Sequence, residues 1–140
     1  MAGKQVSVLG ITDYNCNFAT GSDPYILVVS RPIYVVDWVS GVLLTRLHKS
    51  DTWDSGTASA DVVVQNIMPA QDEPQTVFVP SSGEVASITI PNGATAPALY
   101  QDAFAAPIAA YVRVLIKWTQ GASTGACSFA ISVDLIGRDA

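Results

Sequence analysis

The sequence predicts an all-β protein, an antiparallel β-sandwich of jelly-roll-like form, with an immunoglobulin-like sandwich as the alternative. Three observations carry this. Tyr111 to Gln120 and Cys127 to Gly137 alternate strictly, with Val112, Val114, Ile116 and Trp118 on one side and Tyr111, Arg113, Leu115 and Lys117 on the other. Successive side chains on a strand face opposite ways, so each run reads as a half-buried strand. The remaining apolar runs are short, rich in Val, Ile, Tyr and Trp, and separated by turn residues. No stretch has the length and period of an ordinary helix. Many short strands with frequent turns indicate a sandwich or barrel rather than a parallel α/β sheet.

In chain order the expected strands are Gln5–Ile11, Tyr25–Ser30, Ile33–Val39, Val42–Leu47, Ala60–Ile67, Thr76–Pro80, Val85–Ile90, Tyr111–Thr119 and Cys127–Gly137. Gly21-Ser22-Asp23-Pro24, Asp54-Ser55-Gly56, Ser81-Ser82-Gly83, Pro91-Asn92-Gly93 and 121–125 punctuate them. Ser40-Gly41, between two apolar runs, reads as a tight hairpin. Pro32 confines its neighbours to a sheet edge or a strand start, because it lacks an N–H for the ladder. Tyr25–Ser30 is almost wholly apolar, which suits burial on both faces or pairing with another subunit. Ile67–Pro74 carries Pro69, Pro74, Asp72 and Glu73 and reads as an exposed loop. Asn92–Pro107 is rich in Ala and Pro and reads as a long loop, with 99–104 making one helical turn. Loops of that length in a compact domain are usually functional or pinned by a partner. Leu99, Tyr100 and Phe104 are its apolar anchors, so they are expected at a protein interface, or else folded back over the chain's own core. Tyr25 and Ile26 are further interface candidates.

The 140 residues suit one β-sandwich domain, 1–140, with its own core. Charged residues make up 14%, against about a quarter in a typical soluble domain. Either another copy covers part of the surface or Ser and Thr coat it. The net charge of −5, with seven scattered basic residues, argues against nucleic acid, which requires Lys and Arg to neutralise phosphates. Arg113, Lys117 and Arg138 could form one small basic patch. The N-terminal residues do not read as a targeting leader, and Pro and charged residues interrupt every apolar run before it reaches bilayer length, so no membrane partner is expected. The two cysteines, Cys16 and Cys127, are expected as reduced thiols, Cys127 as a small packed residue at a strand start.

Little in the chain suggests catalysis, and no enzymatic activity is expected. His48 is the lone histidine, and a hydrolase would need it beside a nucleophile and an orienting acid. Ser50 and Asp51 are too local to complete such a triad, and the bland reading is a polar loop histidine. Three His and Cys residues, widely separated, cannot assemble a zinc site. Asp51, Asp54 and Asp61 could contribute to a calcium site, although carboxylates beside Gly and Ser usually serve turns. Glu73 and Glu84 are the only glutamates, both in loop-like contexts, with no apolar pocket predicted to raise a pKa. No cofactor is expected. Among the tryptophans, Trp38 and Trp118 share spacing with core residues. Trp53, beside Asp51 and Asp54 in a polar loop, is the one exposed candidate for stacking on a sugar.

The C-terminal block resembles a known group. Ala110-Tyr111-Val112-Arg113-Val114, then the Gly121-Ala122-Ser123-Thr124-Gly125 turn, then a final strand from Phe129 that closes in Gly137-Arg138, is similar to the endings of small β-rich virion proteins of tailed bacteriophages. The likeness covers roughly a quarter of the chain. It implies a structural protein without catalytic residues: a capsid decoration or cement protein located in the virion. The implied partners are the major capsid protein or other virion proteins, together with copies of itself, most simply as a trimer. The alternative function is a carbohydrate-binding sandwich using Trp53, Asp51 and Asp54 for attachment to host glycans.

Overall fold

The computed structural model describes residues 3–16, 25–50, 58–69, 76–77, 84–105, 111–120 and 127–139. Ten strands run in chain order: β1 (Gly3–Cys16), β2 (Tyr25–Val29), β3 (Ile33–Tyr34), β4 (Trp38–Ser50), β5 (Ser59–Pro69), β6 (Thr76–Val77), β7 (Glu84–Ile90), β8 (Ala98–Ala105), β9 (Tyr111–Thr119) and β10 (Cys127–Asp139). No helix occurs among the described residues.

The strands form two antiparallel sheets. One has the order β1-β10-β4-β8. In the other, β9 and β5 lie at the centre, β2 and β3 flank β9, and β7 and β6 flank β5. The pairs are nested. β1 pairs with β10, β2 and β3 with β9, β4 with β8, and β5 with β7. The chain is a long antiparallel hairpin rolled up so that alternate layers join opposite sheets, which is jelly-roll winding. That nesting decides against the immunoglobulin-like alternative.

Alternation builds the core as the sequence predicts. Val112, Val114, Ile116 and Trp118 of β9 and Phe129, Ile131, Val133 and Leu135 of β10 turn inward and are essentially inaccessible. Each such side chain contributes roughly 1.5–3 kcal/mol relative to exposure. Trp118 and Phe129 stack across the sandwich with centroids 5.5 Å apart, joining the sheets. The Trp118 indole N–H donates to Gln120 Oε1 at 2.9 Å, so the buried ring leaves no polar atom unsatisfied.

Four expectations need correction. Ser40 and Gly41 lie inside β4, not in a hairpin. The reversal comes earlier, where Trp38 N–H bonds to Val35 C=O at 2.9 Å and splits the strand expected over 33–39 into Ile33–Tyr34 and the start of β4 at Trp38. The segment 98–105 is a strand, paired with β4 along its whole length, not a loop with a helical turn. The start of the segment expected as a loop over 67–74 continues β5 to Pro69. The Pro91-Asn92-Gly93 turn stands as read: Gly93 has a φ of 76°, and Ala94 N–H reaches Pro91 C=O. Finally, the outer side of β5 and β9 is covered. Val63 and Leu115, partners in register, are 3% and 1% exposed although they face away from the inter-sheet core.

Candidate interface surfaces

The residues expected at an interface divide by strand parity. On β8, Tyr100 and Phe104 face inward while Leu99 faces out. Phe104 is 6% exposed and belongs to the core, which matches the alternative that this segment folds back over the chain's own core. Its ring lies over Gly41 of the neighbouring strand, the one position that leaves it room. Tyr100 is half-buried and packs on the core. Leu99 is 57% exposed. On β2, Tyr25 pairs with Trp118 and packs on the core, whereas Ile26 is 58% exposed. Leu99 and Ile26 lie on different sheets, so they do not belong to one contiguous face. Trp53, Asp51 and Asp54 lie outside the described residues.

Leu99 stands on the outward side of β8, where exposed and buried residues alternate. β8 is the edge of its sheet, and its residues border two shallow depressions, the first shared with β4 and β10 and the second with β4. One, of about 600 Å³, is lined by Ser40, Val42, Ala103, Ala105, Ile136 and Arg138 among others. The second, of about 410 Å³, is bounded by Arg46, His48, Pro97 and Leu99. Of the other exposed apolar residues, Ile26, Val29, Tyr34, Val36 and Val39 lie along β2, β3, the turn that follows and the start of β4, whereas Ile11 stands apart on β1 of the other sheet. Tyr34 sits against Tyr111 with centroids 5.1 Å apart, which stiffens this edge.

His48 is not a loop residue. It projects from β4, and its Nε2 lies 2.8 Å from Ser132 Oγ on β10. Local sequence pointed to Ser50, but the sheet brings Ser132 instead, and Ser50 donates to Ala94 C=O at 2.8 Å. A hydroxyl beside an imidazole is the beginning of a nucleophile–base pair. A working triad also needs an acid on the other ring nitrogen and donors for an oxyanion. Among the described residues no carboxylate bonds that nitrogen, and the contact lies on an exposed sheet face.

The expected basic patch does not assemble. Arg138 is on β10 in one sheet, and Arg113 and Lys117 are on β9 in the other. Arg113 is 9% exposed and its Nε donates to Gln65 Oε1 at 3.2 Å; burial pushes the guanidinium below its ordinary pKa. Lys117 pairs with Glu84 at 3.6 Å. Asp61, one expected calcium ligand, accepts from Thr89 Oγ1 at 2.8 Å. No group of three or more His, Cys, Asp or Glu suited to a metal ion occurs among the described residues. No helix among them is long and apolar enough to cross a membrane.

The winding of the two sheets is shared with solved virus structures. The VP2 subviral particle of infectious bursal disease virus matches with a TM-score of 0.56 at 14% identity. The Gx and Gt strain structures of the same virus match with TM-scores of 0.53 and 0.51 at 14% and 13% identity. Each match covers 96% of this chain and 31% of the other, so the chain spans about a third of those proteins. At this identity the likeness establishes the fold: an antiparallel jelly-roll sandwich. No family model and no curated protein matches the sequence.

Proposed function

We propose that this chain is a structural virion protein that decorates or cements a phage head, bridging capsid subunits as a homotrimer and performing no catalysis. The observation that carries the reading is the jelly-roll winding, matched over 96% of the chain to domains of virus particles. The phage-like C-terminal block supports it. So does the apolar surface around β2 and β3, where Ile26 and Tyr34 are 58% and 61% exposed. Such residues on a chain with 14% charge favour association, since burying them removes apolar area from water. A sheet edge such as β8 or β2 can also accept a partner strand through main-chain hydrogen bonds.

Light scattering on the purified chain tests the oligomer: the expected particle has three times the protomer mass of 14.7 kDa. Ile26→Asp with Tyr34→Asp should shift it to the protomer mass while the β-sheet circular dichroism spectrum is retained. Co-sedimentation with assembled phage heads tests the location. A stable monomer that never sediments with heads removes the proposal.

A further inference from the structure

We propose that Cys16 and Cys127 are a disulfide site, a cross-strand bridge that a small-molecule disulfide oxidant closes to staple β1 to β10. The inference stands on register and is independent of the virion reading. The pairing of β1 with β10 slips between Ser7 and Leu9 and again between Leu9 and Thr12. Beyond that it runs without interruption, Thr12 with Ile131, Tyr14 with Phe129, and finally Cys16 with Cys127. The two cysteines are therefore direct antiparallel partners, although 111 positions separate them in the sequence.

Direct partners have Cα atoms about 4.5 or 5.5 Å apart, according to whether the pair lies at a non-hydrogen-bonded or a hydrogen-bonded site. Both spacings fall within the roughly 4.4–6.8 Å that a disulfide spans. The side chains also point the same way. Cys16 is 1% and Cys127 0% exposed, and both belong to the inter-sheet core. Tyr14 and Phe129, the pair two positions along on the same face, hold their rings 5.6 Å apart. Neither cysteine is in a disulfide in this structure.

The closing reaction balances with oxidised glutathione. One cysteine thiolate attacks a sulfur of the oxidant, its S–S bond breaks, and one glutathione leaves as thiolate. The second cysteine thiolate then attacks the mixed disulfide, forms the Cys16–Cys127 bond and releases the other glutathione. Two protein thiols are oxidised and one glutathione disulfide is reduced. Access comes from position: Cys16 ends β1 and Cys127 begins β10, so only the end of the ladder must open. Burial pushes the Cys16 thiol up to about 11, so the thiolate is scarce at neutral pH and closure is slow there.

The test exposes the folded full chain to oxidised glutathione at mildly alkaline pH. The intact mass should fall by two hydrogen atoms. Peptide mapping should find the Cys16 and Cys127 peptides joined. The melting temperature should rise by on the order of 10 °C, because the bridge encloses most of the chain, and dithiothreitol should reverse it. Cys16→Ser should abolish all three effects. Should that variant fold poorly, the peptide map of the unaltered chain decides alone. Two cysteines still open to alkylation after prolonged exposure, or bridges only between chains or to glutathione, overturn the proposal.

Discussion

Trp38 occupies the space that a side chain at position 137 would need. Its indole lies against Gly137 of the adjacent strand, and a Cβ there would overlap ring atoms. One strand further along, Phe104 stands in the same relation to Gly41, which is itself the register partner of Gly137. Two large rings thus close one end of the core above two glycines. Gly137→Ala and Gly41→Ala should each lower stability by about 1–3 kcal/mol, since flat rings packed at native density cannot step aside. Chemical denaturation measures this. Phe104→Ala should make Gly41→Ala nearly neutral in the double mutant; additive costs would show that the ring is not what the glycine accommodates.

Thr45 is a polar residue in an apolar layer. It lies between Leu43 and Leu47 on the inward side of β4 and is fully buried. Its Oγ1 has no hydrogen-bond partner among the described residues. An unsatisfied buried hydroxyl costs about 1–3 kcal/mol of desolvation, and valine has nearly the same shape without it. Thr45→Val should therefore raise the melting temperature. A fall would mean that the hydroxyl is satisfied in solution.

These relationships show what was legible beforehand. The alternation in 111–119 revealed strand β9 to the residue, because a half-buried strand writes its two faces as period two. The same period is present in 98–105, where Tyr100 and Phe104 face in and Leu99 and Gln101 face out. Its Ala content and flanking prolines, weak in β propensity, masked it as a loop. Ser40-Gly41 carries a turn's composition for a packing reason: Gly41 is small for the sake of Phe104, which lies 63 positions away in sequence by the register that pairs them. Local pattern cannot see such a demand. Nor could it align Cys16 with Cys127 or His48 with Ser132, since both depend on irregular register along β10.

Stability should fall with alkaline pH on the reduced protein. Burial raises Cys16 from 9.0 to about 11, and burial, with a smaller effect of Cys16, raises Tyr14 above 10.0. Both groups are acids that are neutral when protonated. Between the unfolded and folded values the unfolded chain has lost protons that the native state still holds, so the slope of unfolding free energy against pH is negative. The contribution is fully present below pH 9 and is lost as pH rises through about 11. Cys16→Ala should flatten the melting-temperature decline over that window, by on the order of 2 kcal/mol or less. An unchanged slope would show that the thiol ionises as freely in the folded chain as in the unfolded one.

Asp102 closes the seam between the two sheets. It projects from β8, the edge of one sheet, and its Oδ2 accepts the Ser87 backbone N–H of β7, a flanking strand of the other, at 3.0 Å. Ser87 is paired with Val63 on its other side, so this N–H belongs to the open edge of β7. A carboxylate on an edge amide both satisfies a donor and blocks a template for strand addition. Asp102→Ala should cost about 1–2 kcal/mol, as expected for a charge-assisted bond that is partly exposed. Amide exchange at Ser87 should accelerate more than at Ile88 or Thr89, because the lost partner is local. Asp102→Asn keeps an acceptor oxygen and should restore most of the protection. Uniform acceleration along β7 would instead mean that the whole strand detaches, and that the seam depends on this single contact.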